Sequence, residues 1–435
     1  MSSQEFWITG GTALVMDAAH TTIENSAIHV KDGAIAWVGA QSSARIPSGA
    51  RKVDASKCIV APGFINGHTH TGMTLLRGLA NDLPLDRWLN EAVFPMEQKW
   101  AGPEFVHDGN LLAAAEMIRA GITSFADMYY FQESAAKAIH QAGLRMLAGA
   151  AIIQISKIQD PRKILDGLDS FRENLKQYPL VQACMAPHSI YGVDDSLWGP
   201  LLEYSAKHSL LLHIHIAESQ AEEAAALAKY GKTTVQYLAS VGLWEQKVLA
   251  AHCVELTRED IQILGSHGAG VAYNPESNLK LGNRICPVVE LRRAGAKVCL
   301  GTDSVVSNNN LQIIQEADVG LKLQSMKYGP GAMTARDMVR VLTQEGADAL
   351  QIGDQVGSLE VGKRADIIAV DTWKVHMQPV YDPYAHVVYS ATSRDVKHSI
   401  VDGKILMEDF ALKTLDEKAI LEMASEWGAK VRSSR

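Results

Sequence analysis

The chain has 435 residues and a net charge of −8, with 47% hydrophobic, 6% aromatic and 21% charged residues. This apolar content excludes disorder, the acidic balance argues against nucleic-acid polymers and anionic membranes, and no apolar run reaches the roughly 18 residues of a membrane span. Five widely spaced cysteines with no C-x-x-C pair exclude a disulfide framework and a zinc ribbon, which leaves 15 histidines as the one unusual resource.

The first sixty residues predict strands at 7–8, 12–16, 27–30 and 34–38. Asp32-Gly33 between the last two is a hairpin signal. Residues 1–11 have neither a basic n-region nor an apolar h-region, so a cytoplasmic location is expected. From about residue 58 the texture changes. Eight buried-type apolar runs, at 58–66, 122–127, 145–152, 181–187, 210–217, 248–253, 270–274 and 297–302, alternate with amphipathic segments. Those segments include 104–120, 134–142, 162–178, 197–208, 258–267 and 287–294, and several stop at a glycine. Eight strands each followed by helix predict an α/β fold, a (β/α)8 barrel. After Met333 come helices, then strands at 365–370 and 399–401, a second hairpin signal at Asp402-Gly403, and a terminal helix over 415–427. The two strand-rich ends are expected to meet as a small β-sandwich. The expected division is 1–60 and 356–435 for the sandwich and 61–355 for the barrel.

The chemistry gathers at strand ends. Pro62-Gly63-Phe64-Ile65-Asn66-Gly67-His68-Thr69-His70 closes the first predicted barrel strand. Residues two apart share a face, so His68 and His70 both aim into the barrel mouth, as half of a metal site. Leu211-Leu212-His213-Ile214-His215-Ile216-Ala217-Glu218 closes the fifth strand. His213 and His215 share a face, and spacing does not choose between them. Glu218 is placed as a general acid or base. Ala250-Ala251-His252-Cys253 closes the sixth strand and Leu300-Gly301-Thr302-Asp303-Ser304 the eighth. Each residue alone has a bland reading: a packed histidine, a surface glutamate, an N-cap aspartate. Their conjunction at four strand ends around one mouth does not. Three imidazoles, one carboxylate and an open position describe a catalytic metal site, suited to hydrolytic attack on an electron-poor carbon. Cys253 faces away from His252 and belongs to the core.

These motifs in this order, with the N-terminal strands and the late run Gly362-Lys363-Arg364-Ala365-Asp366-Ile367-Ile368-Ala369-Val370, resemble the amidohydrolase superfamily over nearly the whole chain. The resemblance implies a distorted barrel with a sandwich built from both chain ends. It also implies that His215, three residues before Glu218, is the ligand and that His213 serves packing. Binuclear relatives carry a lysine at the fourth strand end, where this chain reads Val181-Gln182-Ala183-Cys184-Met185-Ala186-Pro187-His188. One divalent ion on His68, His70, His215 and Asp303 is therefore implied, zinc first, with Fe2+ and Mn2+ as alternatives. The implied catalytic groups are Glu218, His252 and Asp303.

The stretch from Thr71 to Asp82, Trp88, Glu97, Ala186-Pro187-His188-Ser189 and Ser307-Asn308-Asn309-Asn310-Leu311 is similar to the branch that deaminates 5′-methylthioadenosine and S-adenosylhomocysteine. That likeness implies that Glu97 accepts both ribose hydroxyls, His188 meets the purine, Trp88 lines the pocket and Glu218 protonates N1 of the ring. Some members carry arginines after the third strand, where they meet the homocysteine carboxylate. Residues 146–161 hold none; Lys157 is their one basic residue, and Arg162 follows. This favours the uncharged thioether, methylthioadenosine, over S-adenosylhomocysteine, with adenosine also in range. The rival readings are a free-base purine deaminase of guanine, isoguanine or 8-oxoguanine type, an s-triazine deaminase or chlorohydrolase, and a barrel that has lost catalysis. The first two need no ribose-binding carboxylate, and the third would have lost ligands. The expected partner is a small nucleoside, with neither nucleic-acid polymer nor membrane, in a homo-oligomer.

Overall fold

A computed structural model describes residues 5–83, 87–154 and 160–433. Lys157 lies outside the described residues. The barrel strands are β1 (Phe64–Thr69), β2 (Ile122–Tyr129), β3 (Arg145–Ile152), β4 (Val181–Pro187), β5 (Leu212–Ile216), β6 (Val248–His252), β7 (Gly270–Tyr273) and β8 (Lys297–Leu300). They pair in chain order and in parallel. Covered on the outside by helices and on the inside by side chains, they read as unbroken apolar runs rather than alternating ones. The closure is narrow. Thr69 and Asp303 form an isolated parallel bridge, and the Asp303 N–H donates to the His68 carbonyl at 2.9 Å. The barrel seam thus passes through the residues that carry the chemistry.

The lower interior is filled by Ile65, Ala126, Leu147, Cys184, Leu249, Ala272 and Cys299, plugged from below by Ala347, Leu350 and Ile352. All five cysteines are free and buried. Among the described residues, no helix is long and apolar enough to cross a membrane.

Two predicted elements are each divided by a glycine. Residues 58–66 form two strands in two sheets: Cys58–Pro62 belongs to a seven-stranded sheet and Phe64–Thr69 to the barrel. Gly63 sits at the switch, where a Cβ would lie 2.1 Å from the Thr123 hydroxyl, and its N–H donates to the Asp366 carbonyl at 2.9 Å. Residues 162–178 form two helices, Pro161–Asp166 and Leu168–Leu175, parted at Gly167. Glycine there gives up helix propensity of about 1 kcal/mol relative to alanine.

The chain ends build two further sheets. The four-stranded one runs Ala34–Ala40, Ser26–Lys31, Glu5–Thr9, Lys52–Asp54. The seven-stranded one runs Ala411–Leu412, Lys404–Glu408, Val396–Val401, Ile367–Asp371, Cys58–Pro62, Thr12–Leu14, Thr22–Ile23. Phe6, Ile8, Val30, Val60, Ile367 and Ile400 share the core of these sheets. Both predicted hairpins turn where the dipeptides stand. Asp32 and Gly33 have φ of 50° and 78°, and Asp402 and Gly403 have 53° and 72°. Two successive positive φ values are what a type I′ turn requires. Arg145, at the foot of β3, joins the units: its guanidinium donates to both Asp366 carboxylate oxygens at 3.1 Å.

Candidate active site

Five side chains converge at the carboxyl ends of β1, β5, β6 and β8. His68, His70 and Asp303 form one group and His68, His215 and His252 another, each with its ligand atoms within 4.8 Å of one another. His68 Nε2 and His70 Nε2 lie 3.4 and 3.2 Å from Asp303 Oδ1, and His215 Nε2 lies 3.4 Å from His70 Nε2. The outer nitrogens set the tautomers. His70 Nδ1 meets the Met128 carbonyl at 2.6 Å, and His215 Nδ1 meets the His188 carbonyl at 2.8 Å. A carbonyl only accepts, so each Nδ1 carries the proton and each Nε2 offers a lone pair inward. His68 Nε2 is buried and makes no hydrogen bond. An orphaned nitrogen aimed at the point that two more imidazoles and a carboxylate face is costly unless a cation occupies that point. Three nitrogens and one oxygen with room for water fit a divalent ion of the catalytic kind.

The strand ends are strained where they meet this point. Ala217, His252 and Asp303 have φ of 50°, 73° and 57°. Left-handed backbone at residues other than glycine costs about 1–3 kcal/mol each and gathers at functional sites.

Asp303 Oδ2 accepts from Ser277 Oγ at 2.5 Å and from Ser307 Oγ at 3.0 Å, so Oδ1 is left to the histidines. Glu218 is buried, and its N–H donates to Glu222 Oε2 at 2.8 Å. Burial, then Asp303 and Glu222 nearby, push the Glu218 carboxyl well above its usual range, which favours its protonated form. His252 Nε2 lies 3.8 Å from Glu218 Oε2, and its Nδ1 is met by the amides of Asn278 at 3.0 Å and Asn274 at 3.3 Å. The sequence reading overlooked Asn274, Ser277 and Asn278. The polar run Asn274-Pro275-Glu276-Ser277-Asn278 directly after β7 was the available signal.

Beside these groups opens a cleft of about 620 Å3, open solvent at its mouth included. Met73, Trp88, Val93, Phe94, Ile153 and Leu281 form apolar walls, while Glu97, Tyr129, His188 and Tyr191 supply polar groups. Trp88 opens a π-helical turn, Trp88–Val93, that leads into the helix Phe94–Trp100 bearing Glu97. Glu97 is 4% exposed, and burial pushes its carboxyl up to about 7 against a smaller pull from the Tyr129 hydroxyl. Burial, then the surrounding imidazoles, lowers His188 to about 3, so this ring is neutral. No lysine or arginine is among the described residues lining the cleft. Arg162 points elsewhere, toward Ser196 Oγ at 3.3 Å. Every sequence-predicted site residue is thus in one place: His68, His70, His215, Asp303, Glu218 and His252 at the strand ends, Trp88, Glu97 and His188 around the cleft. His213 does more than pack, since its Nε2 lies 2.8 Å from His68 Nδ1.

The amidohydrolase family profile matches residues 59–406. The chain is 39% identical over 427 residues to a 5-methylthioadenosine/S-adenosylhomocysteine deaminase of Syntrophobacter fumaroxidans, covering 97% of each chain. It is 36% identical over 421 residues to a 5′-deoxyadenosine deaminase of Methanosarcina barkeri, covering 95% of each. A crystal structure of an adenosine deaminase from Xanthomonas campestris with bound zinc superposes with a TM-score of 0.95 at 32% identity, over 99% of both chains. The chain belongs to the amidohydrolase family.

Proposed function

From that membership and the chemistry of the cleft, we propose that the protein hydrolytically deaminates an adenosine derivative with an uncharged 5′ substituent, 5′-methylthioadenosine first. The observation that carries this reading is the buried Glu97 carboxyl in a cleft whose described lining holds no lysine or arginine. A carboxylate accepts two vicinal hydroxyls, which a ribose has and a free base lacks. A homocysteine carboxylate would find no guanidinium there. The likeness to the Methanosarcina enzyme supports 5′-deoxyadenosine as a second substrate of the same apolar walls.

In this reading His68, His70, His215 and Asp303 hold one divalent ion. Zinc is the first choice, and the N/O donor set also accepts Fe2+ and Mn2+. Such an ion, when bound, lowers the pKa of a water and sharpens its attack. The side chains do the rest. Neutral His188 and Trp88 bracket the purine, and Glu97 anchors the ribose. Protonated Glu218 donates to N1, so negative charge does not build on the ring as the C6–O bond forms. His252 and Asp303 take the proton of the attacking water. Asp303 returns it to the amino group, the C6–N bond breaks with its electron pair leaving on ammonia, and the proton of the C6 hydroxyl passes to the ionised Glu218, which restores that group and leaves the carbonyl of the inosine analogue. Each transfer is general acid/base catalysis worth about 10²–10⁴-fold. The reading also carries a homo-oligomer in the cytoplasm, which light scattering and cell fractionation check.

The test is ammonia release by zinc-loaded protein from methylthioadenosine, 5′-deoxyadenosine, adenosine, S-adenosylhomocysteine, guanine and a chlorotriazine. The expected order starts with the first two. Turnover of guanine or the triazine with none of the adenosine compounds would overturn the nucleoside reading. Two metal equivalents per chain would contradict the single ion.

A further inference from the structure

Of the three candidate imidazole ligands, two are oriented by carbonyls and the third is not. His68 Nδ1 faces another imidazole, His213 Nε2, at 2.8 Å, with the rings at 86°. Both histidines are fully buried. The difference matters because an imidazole nitrogen can either donate or accept, whereas a carbonyl leaves no choice.

Two arrangements satisfy this contact. In the first, His213 Nε2 donates to His68 Nδ1. The proton of His68 then sits on Nε2, directed at Asp303 Oδ1 3.4 Å away, and His68 has no inward lone pair. In the second, His68 Nδ1 donates and His213 Nε2 accepts. His68 Nε2 is then free to ligate, and His213 carries its own proton on Nδ1, an atom that is buried and makes no hydrogen bond. The pair holds two protons in both arrangements; each ring moves one from Nε2 to Nδ1. We propose that His213 is a positioning residue for the metal centre, which accepts the Nδ1 proton of His68 and so holds Nε2 as the ligating nitrogen. This rests on the reading of His68 as a ligand.

The contact also has a geometric side. His213 and His215 alternate with Ile214 along β5, so both point inward, His213 one layer lower. One short strand thereby supplies a candidate ligand and the support of a ligand on the opposite side of the barrel.

The experiment measures zinc affinity by competition with a chromophoric chelator on the full chain. His213→Phe keeps the ring and removes the acceptor; His213→Gln replaces it with an amide carbonyl that accepts. Orienting partners of metal-bound histidines are typically worth about 10–100-fold in metal affinity. The expectation is a loss of that size in H213F and a value within about threefold of wild type in H213Q. Unchanged affinity in H213F, or equal losses in both variants, would overturn the proposal. H68Q is the control: if it binds zinc as wild type does, the failure lies in the ligand reading and not in the role of His213. Should H213F not fold, long-range 1H–15N NMR of the zinc-loaded wild type decides. A proton on His68 Nδ1 with an unprotonated His213 Nε2 supports the proposal, and a proton on His213 Nε2 ends it.

Discussion

The lower and upper halves of the barrel interior are built by the same eight strands and are chemically opposite. Below, β1 contributes Ile65, β6 Leu249 and β8 Cys299, and these side chains form a buried apolar cluster. Above, the same strands contribute or lead into His68, His252 and Asp303, which gather with His70 and His215 as a cluster of ionisable groups. The boundary is marked by glycine. A Cβ on Gly67 would lie 2.1 Å from Cys299 Sγ, and one on Gly301 would lie 2.9 Å from the His68 Cβ and 2.2 Å from Asn274 Oδ1. The lesson is a division of labour along each strand. The lower half fixes where the strand end is, and the upper half can then carry polar groups and left-handed backbone that would not hold themselves in place.

Four substitutions test this division, in order of expected effect. Glu218→Gln lies wholly in the upper layer and removes the proton donor. It should lower kcat by about 10²–10⁴-fold with zinc content unchanged, read by ammonia release and metal analysis. Near-normal turnover would remove Glu218 from the mechanism. Leu249→Ala lies wholly in the lower layer. It should cost about 2–5 kcal/mol of stability in denaturant unfolding and leave kcat of the folded protein within about twofold. A large fall in kcat at full folding would show that the two halves are not separable. Gly301→Ala sits on the boundary and should do some of each, losing about 1–3 kcal/mol by overpacking and weakening zinc binding because His68 must shift.

Glu97→Gln is the mildest and turns on pH. The Glu97 carboxyl, at about 7 in the folded protein, is ordinarily near 4.5. The unfolded chain therefore releases this proton first, and the stability it contributes is full below pH 4.5 and lost as pH rises through 7. Ribose binding has the opposite sign, since only the ionised form accepts both hydroxyls without a proton in the way. For wild type, KM for methylthioadenosine should fall as pH rises through 7. Glu97→Gln should flatten that dependence, raise KM by about 10–100-fold, and make the free protein more stable than wild type above pH 7. A KM that ignores both pH and this substitution would place the ribose elsewhere.

Much of this division was legible in the sequence. Parallel strands buried on both faces leave continuous apolar runs, and a run that stops at a histidine or aspartate marks its own upper end. His68, His70, His252 and Asp303 were readable for that reason. His213 against His215 was not readable from spacing, because both point inward and differ only in height. The contact between His213 and His68 joins strands 145 residues apart, for which no local pattern exists. The apolar walls Phe94 and Ile153 carried no signal, since an apolar residue in or beside a regular element resembles any core residue. The breaks at Gly63 and Gly167 were hidden because residues around each glycine keep the same pattern on both sides. What divides the strands at Gly63 is a neighbour, the Thr123 side chain, that the local sequence does not contain.

The switch at Gly63 has a mechanical consequence. One extended segment leaves the seven-stranded sheet at Pro62 and is already a barrel strand at Phe64, five residues before the end of β1. No linker intervenes to absorb relative motion, and Arg145 pins the same junction from β3 through Asp366. Heating should therefore give a single calorimetric transition, with backbone amides of 58–62 and 64–69 exchanging their hydrogens at matching rates. A loosened outer sheet would be felt as slack at His68 and His70, which makes the distant sandwich a tensioning frame for the reaction centre.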